Sequence, residues 1–152
     1  MQSPSPSALE AHIGFWIRFV SNQVSSRFEQ QLSLQGISVT EWVAMRTLFN
    51  ANIETHSSLI DALGMTKSAT SKVISKLEAK SLVKKEYAQD RLREQSVCLT
   101  EKGRQLVPEL AAIADENDQY FFGHMHASER ESLIKLMQKL VVFHQLRKIP
   151  IK

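Results

Sequence analysis

The chain has little cysteine and no long apolar run. It is 152 residues long, has a single cysteine, Cys98, and has no apolar stretch near the length that a transmembrane helix needs. One cysteine excludes an internal disulfide bond and a zinc site built from several cysteines. The first ten residues, MQSPSPSALE, lack the charged and apolar regions of a secretory signal peptide. We therefore expect a cytoplasmic protein without a membrane span, in which residues 1–7 form a disordered tail.

Sequence signatures of enzymes are also missing. The chain contains no glycine-rich phosphate loop and no nucleophile elbow, and its carboxylates are scattered over predicted helix surfaces. The histidines do not form a metal-binding pattern, since His124 and His126 are two residues apart and would diverge on a helix. We therefore expect no enzymatic activity, no cofactor and no metal site.

Apolar residues recur at spacings of three and four along most of the chain, which is typical of amphipathic helices. The pattern predicts a first helix from about Ser7 to Leu34, roughly 40 Å long at 1.5 Å per residue. One chain of this size cannot cover so long an apolar stripe, so a partner chain is expected to cover it. Further helices are predicted at about 39–50, 56–63, 66–80, 101–124 and 129–147.

Capping and turn residues mark the ends of these helices. Ser38 and Ser128 are each followed three residues later by a glutamate, the spacing of a capping box, and so predict helix starts. Gly64 separates the third and fourth helices at a turn where a positive φ is easiest for glycine. Two short strands joined by a polar loop are predicted at 82–87 and 95–99, with a brief extended segment near Ile53 to Thr55.

The positive charge of the chain is concentrated in residues 64–93. This segment holds eight lysines and arginines against three acidic residues, a net charge of +5, whereas the whole chain carries +3 and the remainder therefore −2. Positive charge attracts the phosphates of DNA. Two short helices around a glycine turn, followed by a basic hairpin, therefore predict a winged helix-turn-helix that reads duplex DNA.

The fourth helix has two chemically different faces. The face expected to be buried carries Ala69, Val73, Ile74 and Leu77. The opposite face carries small hydroxyl side chains flanked by lysines, which leave room for close approach to base edges in the major groove. The side chains expected to contact DNA from this helix are Thr66, Lys67, Ser68, Ser71, Lys72, Ser75 and Lys76.

With its elements in this order, the chain resembles the MarR family of bacterial transcription regulators. The resemblance extends from about His12 to Leu146. The segments that carry it are GISVTEWVAMRTLF, LIDALGMTKSATSKVISKLEAKSLV and VCLTEKGRQLV.

The resemblance implies a mainly α fold with a small β wing. The helices of 8–35 and 101–147 would form a dimerisation domain, and residues 38–100 would form the winged helix-turn-helix. The resemblance also implies a homodimeric repressor that binds pseudo-palindromic operators. Many members are released from DNA by a small aromatic or phenolic effector.

The wing departs from the family pattern. In that pattern, an aspartate lies two residues before the arginine that enters the minor groove, and orients it. Counting back from Thr100 aligns Arg93 with this arginine, which puts Arg91 at the aspartate's position and Asp90 one residue early. Either Asp90 reaches Arg93 from a shifted loop or Arg93 is less ordered, and a shift of one residue would make Arg91 the groove residue. The sequence leaves the register open.

Three further questions remain open at this stage. Trp16, Phe19 and Trp42 could line an aromatic ligand pocket, although packing explains them more simply. Cys98 could sense oxidants, but nothing near it in sequence obviously lowers its pKa. The winged helix could serve only to dock another protein, although such modules often lose the basic face that this chain retains.

Overall fold

The structure is a computed structural model and describes residues 3–51, 54–87 and 95–148. The predicted fold class, mainly α with a small β wing, is confirmed. In chain order the elements are α1 (Ile13–Ser33), α2 (Val39–Ala51), β1 (Glu54–Thr55), α3 (His56–Leu63), α4 (Lys67–Ala79), β2 (Val83–Tyr87), β3 (Gln95–Leu99), α5 (Glu101–Phe122) and α6 (Ala127–Phe143). Within the described ranges, no helix is both long and apolar enough to cross a bilayer.

The first helix starts later than predicted. A short 3-10 turn occupies Leu9–Ala11, and His12 then has extended backbone angles. An extended residue cannot continue the helical hydrogen bonds, so α1 begins at Ile13 rather than at Ser7.

The prediction for the start of the last helix was also wrong. Helix α6 begins at Ala127, where the Glu129 carboxylate accepts a hydrogen bond from the His126 backbone N–H at 2.9 Å. Glu129 therefore takes the capping role that the sequence pattern gave to Ser128 and the glutamate three residues after it. Two glutamates in the same turn offered the same spacing, and the earlier one is used.

The core lies mainly in the part of the chain between α2 and the first turns of α5. Ser38 and Glu41 form the predicted capping box, with the Glu41 N–H donating to Ser38 Oγ at 3.1 Å and the Ser38 N–H to Glu41 Oε1 at 3.2 Å. Helix α1 adds only Leu32 to the buried set, and α6 adds no residue to it. The fully buried large side chains of the core include Met45, Leu48, Leu59, Leu63, Ile74, Leu77 and Leu110.

The three strands form an antiparallel sheet in the order β1-β3-β2. The extended segment expected near Ile53 to Thr55 is confirmed at Glu54 and Thr55, which form β1, where Glu54 pairs with Val97; Ile53 lies outside the described residues. Strand β3 lies in the middle and is covered on both faces, so Cys98 is only 8% exposed although its neighbours point the other way. Burial, with a smaller contribution from Glu86, raises the pKa of the Cys98 thiol, which disfavours the reactive thiolate.

The end of α4 is joined tightly to the start of α5. Ser81 follows α4 with a φ of 60°, and the Thr100 hydroxyl donates to its carbonyl oxygen at 2.6 Å. The Thr100 N–H donates to the Leu82 carbonyl at 3.0 Å. Gly103, in the first turn of α5, lies so close that a Cβ there would be 2.2 Å from the same Leu82 oxygen. We call these four residues the α4–α5 junction.

Candidate nucleic-acid interface

Helices α3 and α4 are set relative to each other by a short capped turn. Gly64 ends α3 in the left-handed conformation with a φ of 65°, and its N–H donates to the Ile60 carbonyl at 3.0 Å. Thr66 then caps α4, because its hydroxyl oxygen accepts from the Ala69 N–H at 3.1 Å. Thr66 therefore has a structural role in addition to the DNA contact predicted for it.

The buried face of α4 differs from the predicted one at a single position. Thr70 is fully buried and Ala69 is only half-buried, whereas Val73, Ile74 and Leu77 are buried as expected. The buried residues keep the i, i+3, i+4, i+7 spacing of one helix face. Because threonine is polar, the pattern of apolar residues did not predict that Thr70 is buried. Among the described residues its hydroxyl has no hydrogen-bond partner.

The opposite face of α4 is open to solvent. Ser68, Lys72 and Ser75 are exposed, and Ser71 is half-buried. Together with two further lysines they line one open, concave surface, which we call the α4 surface. Its residues are Lys67, Ser68, Ser71, Lys72, Ser75 and Lys76. The structure thus brings together all of the side chains predicted to contact DNA from this helix except Thr66, which precedes it as the cap.

The lysines of this region are not equally available for an anionic ligand. Ion pairs tie Lys84 Nζ to Glu86 at 3.3 Å and Lys85 Nζ to Glu78 at 3.7 Å. Within the described part of the chain, no carboxylate pairs with the lysines of the α4 surface. Among the described lysines, those of the α4 surface that remain available to a ligand are therefore Lys67, Lys72 and Lys76.

The Lys80 side chain is held by contacts within the protein. Its ammonium donates to Glu41 Oε2 and to the Gly36 carbonyl, both at 2.6 Å. Burial raises the pKa of Glu41, but the hydrogen bonds from Lys80 and Ser38 outweigh it and hold that pKa below its ordinary value of 4.5. The pair joins the C-terminal end of α4 to the start of α2 and so fixes the helix that carries the α4 surface.

A histidine that the sequence reading did not select lies beside this surface. His56, the first residue of α3, has its Nε2 atom 3.2 Å from Ser71 Oγ. Burial lowers the pKa of His56, and the charges of Lys67 and Lys85 lower it further, which favours the neutral imidazole. The two residues are 15 positions apart, so no spacing rule links them in the sequence.

The tip of the predicted wing lies outside the described residues. Strands β2 and β3 pair as far as Tyr87 and Gln95. Asp90, Arg91 and Arg93 lie between these two strands in the sequence, outside the described residues. Their contacts with DNA and the register of the wing stay predictions.

The three aromatic residues considered for a ligand pocket lie in different environments. Trp16 and Phe19, both on α1, are 51% and 54% exposed, and each has Phe15 as a ring neighbour. Trp42, on α2, is half-buried and packs against the core. A pocket that includes all three stays a prediction.

Known proteins share this fold. No protein-family model matches the chain. The transcriptional regulator HosA of Escherichia coli O157:H7 is 24% identical over 125 residues, which cover 82% of this chain and 91% of HosA. A structure of Bordetella bronchiseptica BpsR, concerned with regulation of its DNA binding by 6-hydroxynicotinic acid, has a TM-score of 0.76 at 22% identity, covering 90% of this chain and 97% of that one.

A mutant of E. coli MarR in complex with operator DNA is also similar. Its TM-score is 0.74 at 19% identity, and the match covers 85% of this chain and 93% of that one. The resemblance to the MarR family that the sequence predicts is confirmed, and at these identities the structural likeness establishes the fold.

Proposed function

We propose that this chain, which has the fold of the MarR-family regulators, is a transcriptional repressor that binds pseudo-palindromic operators as a homodimer. The observation that carries the proposal is the α4 surface. It presents serines and lysines that no carboxylate of the described residues pairs with, on a helix whose other face is anchored in the core by Val73, Ile74 and Leu77. A rigid helix with a small, basic outer face suits insertion into a major groove.

Two kinds of side chain on the α4 surface would contribute differently to DNA binding. Lysines attract phosphates without regard to sequence, and they set affinity and its salt dependence. Serine hydroxyls are short and can donate or accept hydrogen bonds at base edges. On this helix, Lys67 and Lys76 lie toward the two ends and would contact the phosphates of the DNA backbone. Ser71 and Ser75 would face the bases.

Dimer formation is supported by apolar side chains that the single chain leaves uncovered. Two sets lie on α1 and on or near α6, the helices predicted to form the dimerisation domain. Exposed large apolar residues on α1 are Ile13, Trp16, Ile17, Phe19 and Val20, and those on α6 and just after it are Leu133, Ile134, Leu136, Met137, Leu140, Val142, Phe143 and Leu146. Monomeric proteins rarely expose large apolar patches, and a two-fold contact with a second copy would bury these side chains.

Sedimentation tests the dimer directly. At micromolar concentration the protein is expected to sediment at about twice the 17.3 kDa of one chain. A folded monomer of 17.3 kDa at that concentration would contradict this part of the proposal.

Salt dependence tests the DNA interface. If Lys67, Lys72 and Lys76 of each α4 contact phosphates, six contacts per dimer predict a slope of log K against log salt of about −5. Fluorescence anisotropy with a duplex selected from a random pool measures it. Lys72→Ala should flatten the slope by about 2, one contact per protomer. Lys135→Ala is the charge-matched control, because Lys135 pairs with Glu131 on α6, and it should leave the slope unchanged.

A flat salt dependence, or no binding to any duplex at low salt, would contradict the proposal. The second outcome would instead favour a winged helix that docks only another protein.

The register of the wing is tested by two variants on one operator. Arginine side chains in the minor groove respond to groove width more than to base identity. The variant that weakens binding to all duplexes, and most with A·T-rich flanks, identifies the groove residue as either Arg91 or Arg93. If neither Arg91→Ala nor Arg93→Ala lowers the affinity for DNA, the wing is not part of the interface.

A small aromatic effector is the remaining part of the proposal. It is supported by the BpsR structure, in which DNA binding is regulated by 6-hydroxynicotinic acid. The chain has only two tryptophans, Trp16 and Trp42, so a ligand near either one should change the intrinsic fluorescence measurably. The test is titration with 6-hydroxynicotinic acid or benzoate while release of a bound duplex is followed. Release without a fluorescence change would exclude these tryptophans from the site.

A further inference from the structure

The contact between His56 and Ser71 joins the two helices of the helix-turn-helix at the edge of the α4 surface. Nε2 of His56 lies 3.2 Å from the Ser71 hydroxyl, and both side chains are half-buried. Ser71 is the serine of this surface least exposed to solvent, and it belongs to the face expected to meet the bases. The histidine is held at the start of α3, where the Thr55 hydroxyl caps the helix by accepting from the Ser58 N–H at 3.1 Å.

A serine hydroxyl by itself does not discriminate well among base edges. It carries one donor and two acceptor positions and rotates to suit its partner, so it can bind any base. A hydrogen bond to a fixed neighbour removes this freedom. If Ser71 donates to Nε2, its lone pairs face outward and select the amino groups of adenine or cytosine. If an Nε2–H donates to Ser71, it occupies one lone pair and turns the hydroxyl hydrogen outward, which favours base pairs that present acceptors there, such as guanine O6 and N7, thymine O4 or adenine N7.

We infer that His56 is a positioning residue for Ser71, which fixes the hydroxyl as donor or acceptor and so creates a preference at one base pair of each half-site. The inference rests on the proposed function, because it requires the α4 surface to face DNA. His56 acts through Ser71 and needs no contact of its own with a base. Lys67 and Lys85 are the charged groups whose fields reach the imidazole from α4 and β2.

The test is a double-mutant cycle read on base preference. Wild type selects a duplex from a random pool. Affinities are then measured for a panel in which each base pair of one half-site is replaced in turn. The proteins compared are wild type, His56→Ala, Ser71→Ala and the double variant. Circular dichroism and thermal unfolding establish that each is folded. His56→Leu has a side chain of similar size without ring nitrogens and covers the case in which alanine perturbs α3.

The expected result is confined to one position of the half-site. His56→Ala and His56→Leu should reduce the preference there by about three- to tenfold, the value of one hydrogen bond, and leave the other positions unchanged. Ser71→Ala should flatten the same position, and adding His56→Ala to it should change nothing further. Ser57→Ala, an exposed neighbour on α3, is the matched control and should keep the wild-type preference.

Two results would overturn the inference, and they are distinguishable. If His56→Ala lowers affinity equally for every duplex in the panel, His56 supports the fold or a phosphate contact, and the proposed function stands without this role. If wild type selects no duplex at all, the proposed function fails and this inference fails with it.

Discussion

Gly103 offers a sharp test of how closely α5 packs against Leu82 and Leu99. It lies in the first turn of that helix, where an added Cβ would be 2.2 Å from the Leu82 carbonyl oxygen, 3.1 Å from its carbon and 3.2 Å from Leu99 Cδ2. The nearest obstacle is backbone, which cannot rotate away as the end of a side chain can. Gly103→Ala must therefore move α5 away from β2 or displace the Leu82 carbonyl.

The magnitude follows from three contributions. Forcing an extra carbon into a packed site typically costs about 1–3 kcal/mol. Displacing the Leu82 carbonyl also weakens its hydrogen bond from the Thr100 N–H, now 3.0 Å, which is worth roughly 1 kcal/mol. Alanine is the better helix former by about 0.5–1 kcal/mol, and this offsets part of the loss. The net destabilisation expected for Gly103→Ala is about 2–3 kcal/mol.

Urea unfolding followed by circular dichroism measures this difference, with protein concentration fixed because a dimer's stability depends on it. Gly14→Ala is the matched control: Gly14 is also helical, but among the described residues nothing outside its own stretch of helix lies within 4 Å of an added Cβ. It should be as stable as wild type or slightly more stable. If Gly103→Ala unfolds at the same urea concentration as wild type, the close approach of α5 to Leu82 is wrong.

Three further predictions rest on single side chains. Thr70→Val should raise the free energy of unfolding by about 1 kcal/mol in urea titrations, because it removes a buried hydroxyl without a partner among the described residues. The affinity for duplex DNA should not change. A less stable variant would show that the hydroxyl does have a hydrogen-bond partner. Lys72→Ala should lose duplex affinity with its helicity intact, whereas Val73→Asp should lose helicity because it buries an unpaired charge; equal loss of helicity would contradict the assignment of faces. The folded state lowers the pKa of Glu41, so the ionised carboxylate stabilises the protein fully above its ordinary pKa of 4.5. This stabilisation is lost as pH falls through the lower folded-state pKa. Wild type should therefore lose more stability than Glu41→Gln between pH 6 and pH 3.5, as measured by urea unfolding at each pH.

The sequence predicted correctly those helix ends that depend on residues only a few positions apart. Ser38 and Glu41 are three residues apart and satisfy each other's backbone N–H groups, so the start of α2 could be read directly. Gly64 adopts the positive φ that ends α3, and Thr66 caps α4. The exposed face of α4 followed from helical periodicity alone, because the buried side is apolar apart from Thr70.

Contacts between residues distant in sequence could not be predicted in the same way. Lys80 counted as a free positive charge until the fold brought it to Glu41, 39 positions away. His56 had no motif, and its contact with Ser71 forms only when α3 and α4 pack at the turn that Gly64 makes. The choice between Glu129 and the glutamate two residues later depended on where α5 ends, which periodicity gives only to within a few residues.

The α4–α5 junction links the two halves of the proposed function. A dimer that reads two half-sites must hold its two α4 helices about one DNA turn apart, roughly 34–36 Å. In the proposed dimer, that distance is set by how rigidly each α4 is attached to the helices that would form the dimer interface. Ser81 and Thr100 attach α4 to α5. Farther along α5, Asn117 binds α1, accepting from Arg27 Nη1 at 2.9 Å and donating to the Val24 carbonyl at 3.1 Å. Hydrogen bonds therefore connect α1 to α5 at Asn117, and α5 to the residue that follows α4 at Thr100, so in the proposed dimer the contacts of α1 would bear on half-site spacing without themselves touching DNA.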